Sequence, residues 1–161
     1  MLLLATDTSG KAGSIALARG ETDGTCELLE SISLDGGAFS AQLVPQIATL
    51  LSRDGCSKKD IDGFTVVSGP GSFTGLRVGL AAIKAFAEVL AKPIAAVSLL
   101  EAVASAGGVE GRVITALDAG HQQVYVGEYE VLSGKSRRVK ESILAREEFA
   151  RMVREANVVT P

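Results

Sequence analysis

Short apolar runs alternate with polar turn clusters at the start of the chain. Leu2 to Thr6 is apolar and meets the cluster Asp7-Thr8-Ser9-Gly10, after which Ser14 to Ala18 resumes, a pattern that predicts a hairpin. Glu27 to Ser33 alternates as a third strand of the same meander. Gly36-Gly37 breaks the period, and Phe39, Leu43, Val44, Ile47, Leu50 and Leu51 then follow helical spacing. Ser40 is the expected N-cap and Asp54-Gly55 the end of that helix; Pro45 belongs in its first turns because proline removes one i→i−4 bond. After a solvated turn, Lys58-Lys59-Asp60, the run Gly63 to Ser68 is continuously apolar enough for a strand buried on both faces. A long alanine-rich helix runs from about Thr74 to Ala91 and is stopped by Lys92-Pro93. Ile94 to Val97 is another strand, and Leu99 to Ala106 a short helix closed by Gly107-Gly108. Strands and helices alternating from residue 63 onward predict parallel βαβ units, so the sheet is mixed and the fold α/β.

The opening pattern then returns. Arg112 to Leu117 is apolar, reaches Asp118-Ala119-Gly120, and is followed by a strand from Val124 to Tyr129. Asp118 stands 118 − 7 = 111 residues after Asp7; Ala5 and Ala116 lie two residues before each aspartate, and Ile15 and Val126 eight after. This predicts two related halves, 1–108 and 109–161, with the aspartate turns facing each other across a cleft. In the second half Val139 to Ile143 is the expected strand, Arg146 to Glu155 a charged helix, and Asn157 to Thr160 a further strand. That half is shorter than the first, which implies a truncated second lobe or a chain shortened at Pro161.

Between strand and long helix lies Ser68-Gly69-Pro70-Gly71-Ser72-Phe73-Thr74-Gly75-Leu76-Arg77-Val78-Gly79. A strand, a glycine-rich loop and a helix start in that order can aim backbone N–H groups at an anion. The spacing G-x-G-x-x-x-G is one residue too long for a dinucleotide fingerprint, and Leu76 stands where a Walker loop needs lysine. Two readings stay open. The loop is a tight strand-to-helix connection capped by Ser72 or Thr74 with Arg77 on the solvent face, or it contacts an anion or a partner. On the helix, Gly75, Gly79, Ala82 and Ile83 share one side, where small residues permit close approach of another helix.

Composition narrows the classes. The chain has 161 residues, 47% hydrophobic but only 4% aromatic with no Trp, so the core must be aliphatic. A net charge of −3 argues against a strongly cationic surface for nucleic acid or membrane. Cys26 and Cys56 lack metal spacing and read as buried, unpaired thiols of a reducing cytosol. Met1-Leu2-Leu3-Leu4 is too short for a signal-peptide core, and Lys84, Glu88 and Lys92 interrupt the longest candidate membrane span, so a soluble cytoplasmic protein is expected. His121 is the one histidine, which removes paired-histidine zinc sites and leaves no metal site of the chain's own. Asp7-Thr8-Ser9 and Asp118 could hold a metal-bound nucleotide between two turns, or serve as ordinary hairpin residues.

Gly69 to Gly79 closely resembles the signature of the bacterial TsaB (YeaZ) family, and Leu4 to Ser9, Leu43-Val44-Pro45, Leu117-Asp118-Ala119 and Val124-Tyr125 match in order. The resemblance implies an actin/Hsp70-like (ASKHA) fold of two similar lobes. It implies a non-catalytic scaffold in formation of threonylcarbamoyladenosine on tRNA, an accessory subunit of tRNA N6-adenosine threonylcarbamoyltransferase that works with TsaD, TsaE and TsaC. TsaD-like relatives bind metal through histidines of the first helix; none is present there, and Phe39 stands where many TsaB-like chains keep one. No metal-dependent transferase or protease activity is therefore expected; an ATP-using phosphotransferase of the same fold is the alternative. The family's pairing surface corresponds to the first two helices, here Phe39, Leu43 and Ile47 with Leu76, Gly79 and Ile83. A homodimer through that surface is expected in isolation, with ATP and Mg only at an interface with partners, tRNA only through the complex, and no membrane.

Overall fold

Leu2, Leu4 and Thr6 are the inward members of the first apolar run, and the computed structural model, which describes residues 1–153 and 157–160, buries all three on one face of strand β1 (Leu2–Asp7). β1 pairs antiparallel with β2 (Gly13–Gly20), and β2 with β3 (Cys26–Leu34). Helix α1 (Phe39–Arg53) follows, then a 3-10 turn (Lys58–Asp60), β4 (Gly63–Gly69), helix α2 (Phe73–Leu90) and β5 (Ile94–Ser98). β4 lies parallel to β1, and the strand order is β3-β2-β1-β4-β5. Phe64 N–H donates to Pro93 O and Ser68 Oγ to Val97 O, so β5 runs in the direction of β4. Leu4, Ile15, Leu17, Phe64 and Val66 of the sheet pack with Leu43, Ile47, Leu50 and Ile83 of the two helices in one core.

The chain divides into two compact units, Met1–Val97 and Ser98–Pro161. The division precedes the expected one after residue 108, because helix α3 (Leu99–Ala106) buries Leu100 and Ala104 against Val113, Tyr129 and Val131 of the second sheet. The strand after α3 accordingly opens a new sheet and does not extend the first. In this second unit β6 (Gly111–Gly120), β7 (Gln123–Leu132) and β8 (Lys135–Ala145) form an antiparallel meander, helix α4 (Arg146–Met152) follows, and β9 (Asn157–Val159) lies parallel to β6. The end of the helix expected over 146–155 and residue 161 lie outside the described residues.

The order β8-β7-β6-β9 has the connectivity of β3-β2-β1-β4. The repeat inferred from the two aspartates is therefore a repeat of topology. Its register is corrected by one residue: Ala5 pairs with Ala16, and Ala116 with Val126, so Val126 matches Ala16 and not Ile15. The β6–β7 turn is shorter, with His121 and Gln122 both at positive φ (49° and 61°).

Two local expectations change. α1 begins after Ala38 with no side-chain cap, and Ser40 lies inside the helix. The entry is set by close approach, since a Cβ on Gly36 would sit 1.6 Å from Lys11 O. Neither thiol is buried: Cys26, at the start of edge strand β3, is exposed and Cys56 half-exposed, and both are free.

Candidate functional site

The turn at the end of β1 and the glycine loop are one structure. Asp7 Oδ1 accepts from Ser9 N–H (2.8 Å) and Ser9 Oγ (2.6 Å), which folds the turn on itself. Thr8, buried, donates its Oγ1 to Gly75 O (2.8 Å), and Ser9 O accepts from Ser72 N–H (2.7 Å). Backbone meets backbone here only because side chains are missing. A Cβ on Gly71 would lie 2.5 Å from Ser9 O, and one on Gly75 2.0 Å from Thr8 O; on Gly79 it would meet Thr8 Oγ1 at 2.3 Å. Gly69 has φ +127°, a region open to glycine, and joins Pro70 through a cis bond.

Of the two readings of the loop, the geometry favours the connection. Ser72 is the N-cap and its Oγ accepts from Gly75 N–H (3.2 Å), while its own N–H is given to Ser9 O. Two N–H groups that an anion cradle would aim outward are thus used inside the unit. Thr74 is exposed, Phe73 is 73% exposed, and the Arg77 guanidinium lies over the Phe73 ring at 5.2 Å.

The pairing surface expected from the resemblance needs correction. Phe39, Leu43, Ile47 and Ile83 belong to the buried core, and Gly79 is spent on Thr8. Phe39 fills the junction itself: a Cβ on Gly13 would lie 2.8 Å from its ring and one on Gly75 3.4 Å. Leu76 is half-buried. A helix lying on a sheet turns its apolar stripe inward, so residues picked by hydrophobic period are core residues. The outward positions include Ala41, Val44, Pro45 and Ala48 on α1, and Phe73, Arg77, Ala81, Ala85 and Val89 on α2, which packs beside α1 and also exposes Lys84 and Glu88. One signal could have found the first group: Phe39 to Ser52 contains no charged residue, although a solvated helix face normally carries some.

In the second unit Asp118 Oδ1 accepts from Gly120 N–H (2.9 Å) and Oδ2 from Arg146 (3.2 Å). The Gly120 N–H and then Arg146 hold its carboxyl below the usual value of 3.8. A depressed pKa contributes stability above the usual carboxylate range and loses it as pH falls through the lowered value. Asp118→Asn should therefore be slightly less stable than the parent at neutral pH, and the difference should close below about pH 4; thermal unfolding across that range checks it. Beside this ion pair an open pocket of about 370 Å³ is lined by Ala116, Leu117, Val124, Phe149 and Thr160. Among the described residues no cluster of three or more His, Cys, Asp or Glu could hold a metal ion, and no helix is long and apolar enough to cross a membrane.

Three comparisons bear on these features. The family model for TsaD, tRNA N6-adenosine threonylcarbamoyltransferase, matches residues 36–157. The tRNA threonylcarbamoyladenosine biosynthesis protein TsaB of Bacillus subtilis is 36% identical over 135 residues, 83% of this chain and 57% of its own length. TsaB of Escherichia coli is 32% identical over 81% of this chain and 55% of its length, so the chain spans somewhat over half of these curated relatives. Among solved structures, YeaZ from Pseudomonas aeruginosa superposes with a TM-score of 0.77 at 31% identity, covering 91% of this chain and 68% of that one.

Proposed function

Because the chain belongs to the TsaB (YeaZ) family, we propose that it is a non-catalytic scaffold in the formation of threonylcarbamoyladenosine on tRNA, pairing with and activating a TsaD transferase. The observation that carries this reading is the outer face of the α1–α2 pair. Ala41, Val44, Pro45 and Ala48 form an exposed, uncharged strip on one helix, beside the small residues Ala81 and Ala85 and the exposed Phe73 and Val89 on the other. Small side chains let a second helix pair come close, and apolar ones supply the area that association needs. The same face would close a homodimer when the partner is absent, with TsaE, and any ATP and Mg, joining at the assembled interfaces. tRNA would be engaged within the complex, in the cytoplasm.

Both aspartate turns support the non-catalytic part. Asp7 spends an oxygen on Ser9, and Asp118 spends both of its own on Gly120 and Arg146. Mixing the chain with its TsaD and measuring the mass of the species in solution tests the reading. A heterodimer is expected; no association by a chain that is folded by circular dichroism would sink it.

A further inference from the structure

We infer that the outer half of the β7–β8 hairpin is a phosphate-contacting face for an RNA backbone. The inference rests on the tRNA-modification reading above and adds to it a contact surface on this chain. Residues 135–140 read Lys-Ser-Arg-Arg-Val-Lys, and they form the first half of edge strand β8. Strand register decides which way these charges point. Lys135 pairs with Leu132, Arg137 with Glu130 and Lys140 with Glu128, so all three share one face of the sheet. A bulge at Val139 keeps Lys140 in line with Arg137 in spite of their odd spacing. Arg112 of β6 pairs with Glu130 and joins the same face.

That face carries four cations, Arg112, Lys135, Arg137 and Lys140, against Glu128, Glu130 and, at the hairpin end where it accepts from Ser133 N–H, Glu110, an excess of 4 − 3 = 1 positive charge on a chain whose net charge is −3. Glu128 and Glu130 are taken by the arginines: Arg112 meets Glu128 at 2.6 Å and Arg137 meets Glu130 at 2.5 Å. Lys135 and Lys140 make no ion pair among the described residues, and both are exposed. The two lysines lie roughly 14 Å apart along the strand, since the bulge leaves their partners four residues apart, with Arg137 about 7 Å from Lys135, a span suited to two or three consecutive phosphates. Among the described residues this half of the hairpin offers no aromatic side chain for stacking, Tyr129 being buried on the opposite face, so the contact would position the RNA without reading its bases. An anionic membrane fits less well, because among the described residues the outer half of the hairpin exposes just two isolated large apolar side chains, Leu132 and the bulge residue Val139, which offer little to insert.

Edge strands also carry lysine to prevent pairing with other edges, and a negative charge serves that purpose equally. Lys135→Glu with Lys140→Glu therefore separates the two roles. Fluorescence anisotropy of the 161-residue chain with a short unmodified RNA stem-loop, across a salt series, is the measurement. The double variant should stay monodisperse, keep its unfolding midpoint and bind at least tenfold more weakly, with a salt slope shallower by about 0.7 for each lysine removed. Lys58→Glu with Lys59→Glu, in the first unit, should change affinity less than twofold. Unchanged affinity in the β8 variant, an equal loss in the control, no RNA binding by the parent, or tighter binding to phosphatidylserine vesicles than to RNA overturns the inference. TsaD association is followed in the same samples. If it persists while the RNA result fails, only this inference falls; if it is absent, the scaffold reading falls.

Discussion

Gly75→Ala is expected to cost the first unit about 3 kcal/mol or more of stability, a large part of what holds a domain of this size folded. The sign is not obvious from local rules. Within a helix, alanine is better than glycine by about 1 kcal/mol, so propensity alone predicts a more stable protein. Sterics oppose it, because the new Cβ would lie 2.0 Å from Thr8 O, a backbone atom that cannot move without displacing the end of β1. Sterics should win. Gly79→Ala meets Thr8 Oγ1, a side-chain atom, at 2.3 Å, and so should be partly rescued by Thr8→Ala, with a coupling of about 1 kcal/mol. Gly75→Ala should show no such rescue. Urea titrations of the three single variants and the two doubles with Thr8→Ala read both results; an unchanged midpoint for Gly75→Ala would mean that the junction is looser than described.

The second large effect separates surface from core on the same two helices. Val44→Glu combined with Val89→Glu should leave unfolding unchanged, since these side chains are 51% and 82% exposed, yet weaken TsaD association roughly thirtyfold, about 2 kcal/mol, or more. Ile47→Ala should do the opposite. Ile47 is 2% exposed among Leu43, Leu50 and Ile83, and its truncation should cost about 2–5 kcal/mol of folding with little specific effect on association of the molecules that remain folded. Sedimentation velocity with the partner, alongside urea unfolding of each variant, distinguishes them. If Ile47→Ala broke association with the fold intact, the assignment of the pairing surface to the buried stripe would return.

Those experiments turn on a distinction that the pattern of residues could not make. Hydrophobic period located α1, α2 and the middle of each strand because it reports which positions face apolar surroundings, and it missed the charged first half of β8, expected over 139–143 and found as Lys135–Ala145. It cannot say whether those surroundings belong to the same unit or to another molecule, so Leu43, Ile47 and Ile83 read equally well as core or as interface. The glycines were ambiguous for a related reason. Small residues at Gly75 and Gly79 mean that something comes close, and only the fold identifies it as Thr8, sixty-seven residues before Gly75. The basic half of β8 was obscured by averaging, since its excess of charge vanishes in a chain with a net charge of −3.

By itself the sequence determined the order and kind of the elements, the repeated strand–aspartate–strand pattern, and a loop signature specific enough to place the family. These are local or periodic properties, written in neighbouring residues and readable there. Tertiary structure alone decided that the Ser72 N–H of the loop is given to Ser9 O of the first turn, that α3 packs with the second sheet, and which side of each helix remains for a partner. Each of those outcomes depends on contacts between residues far apart in the chain, where the deciding quantity is a distance between atoms and not the identity of a residue.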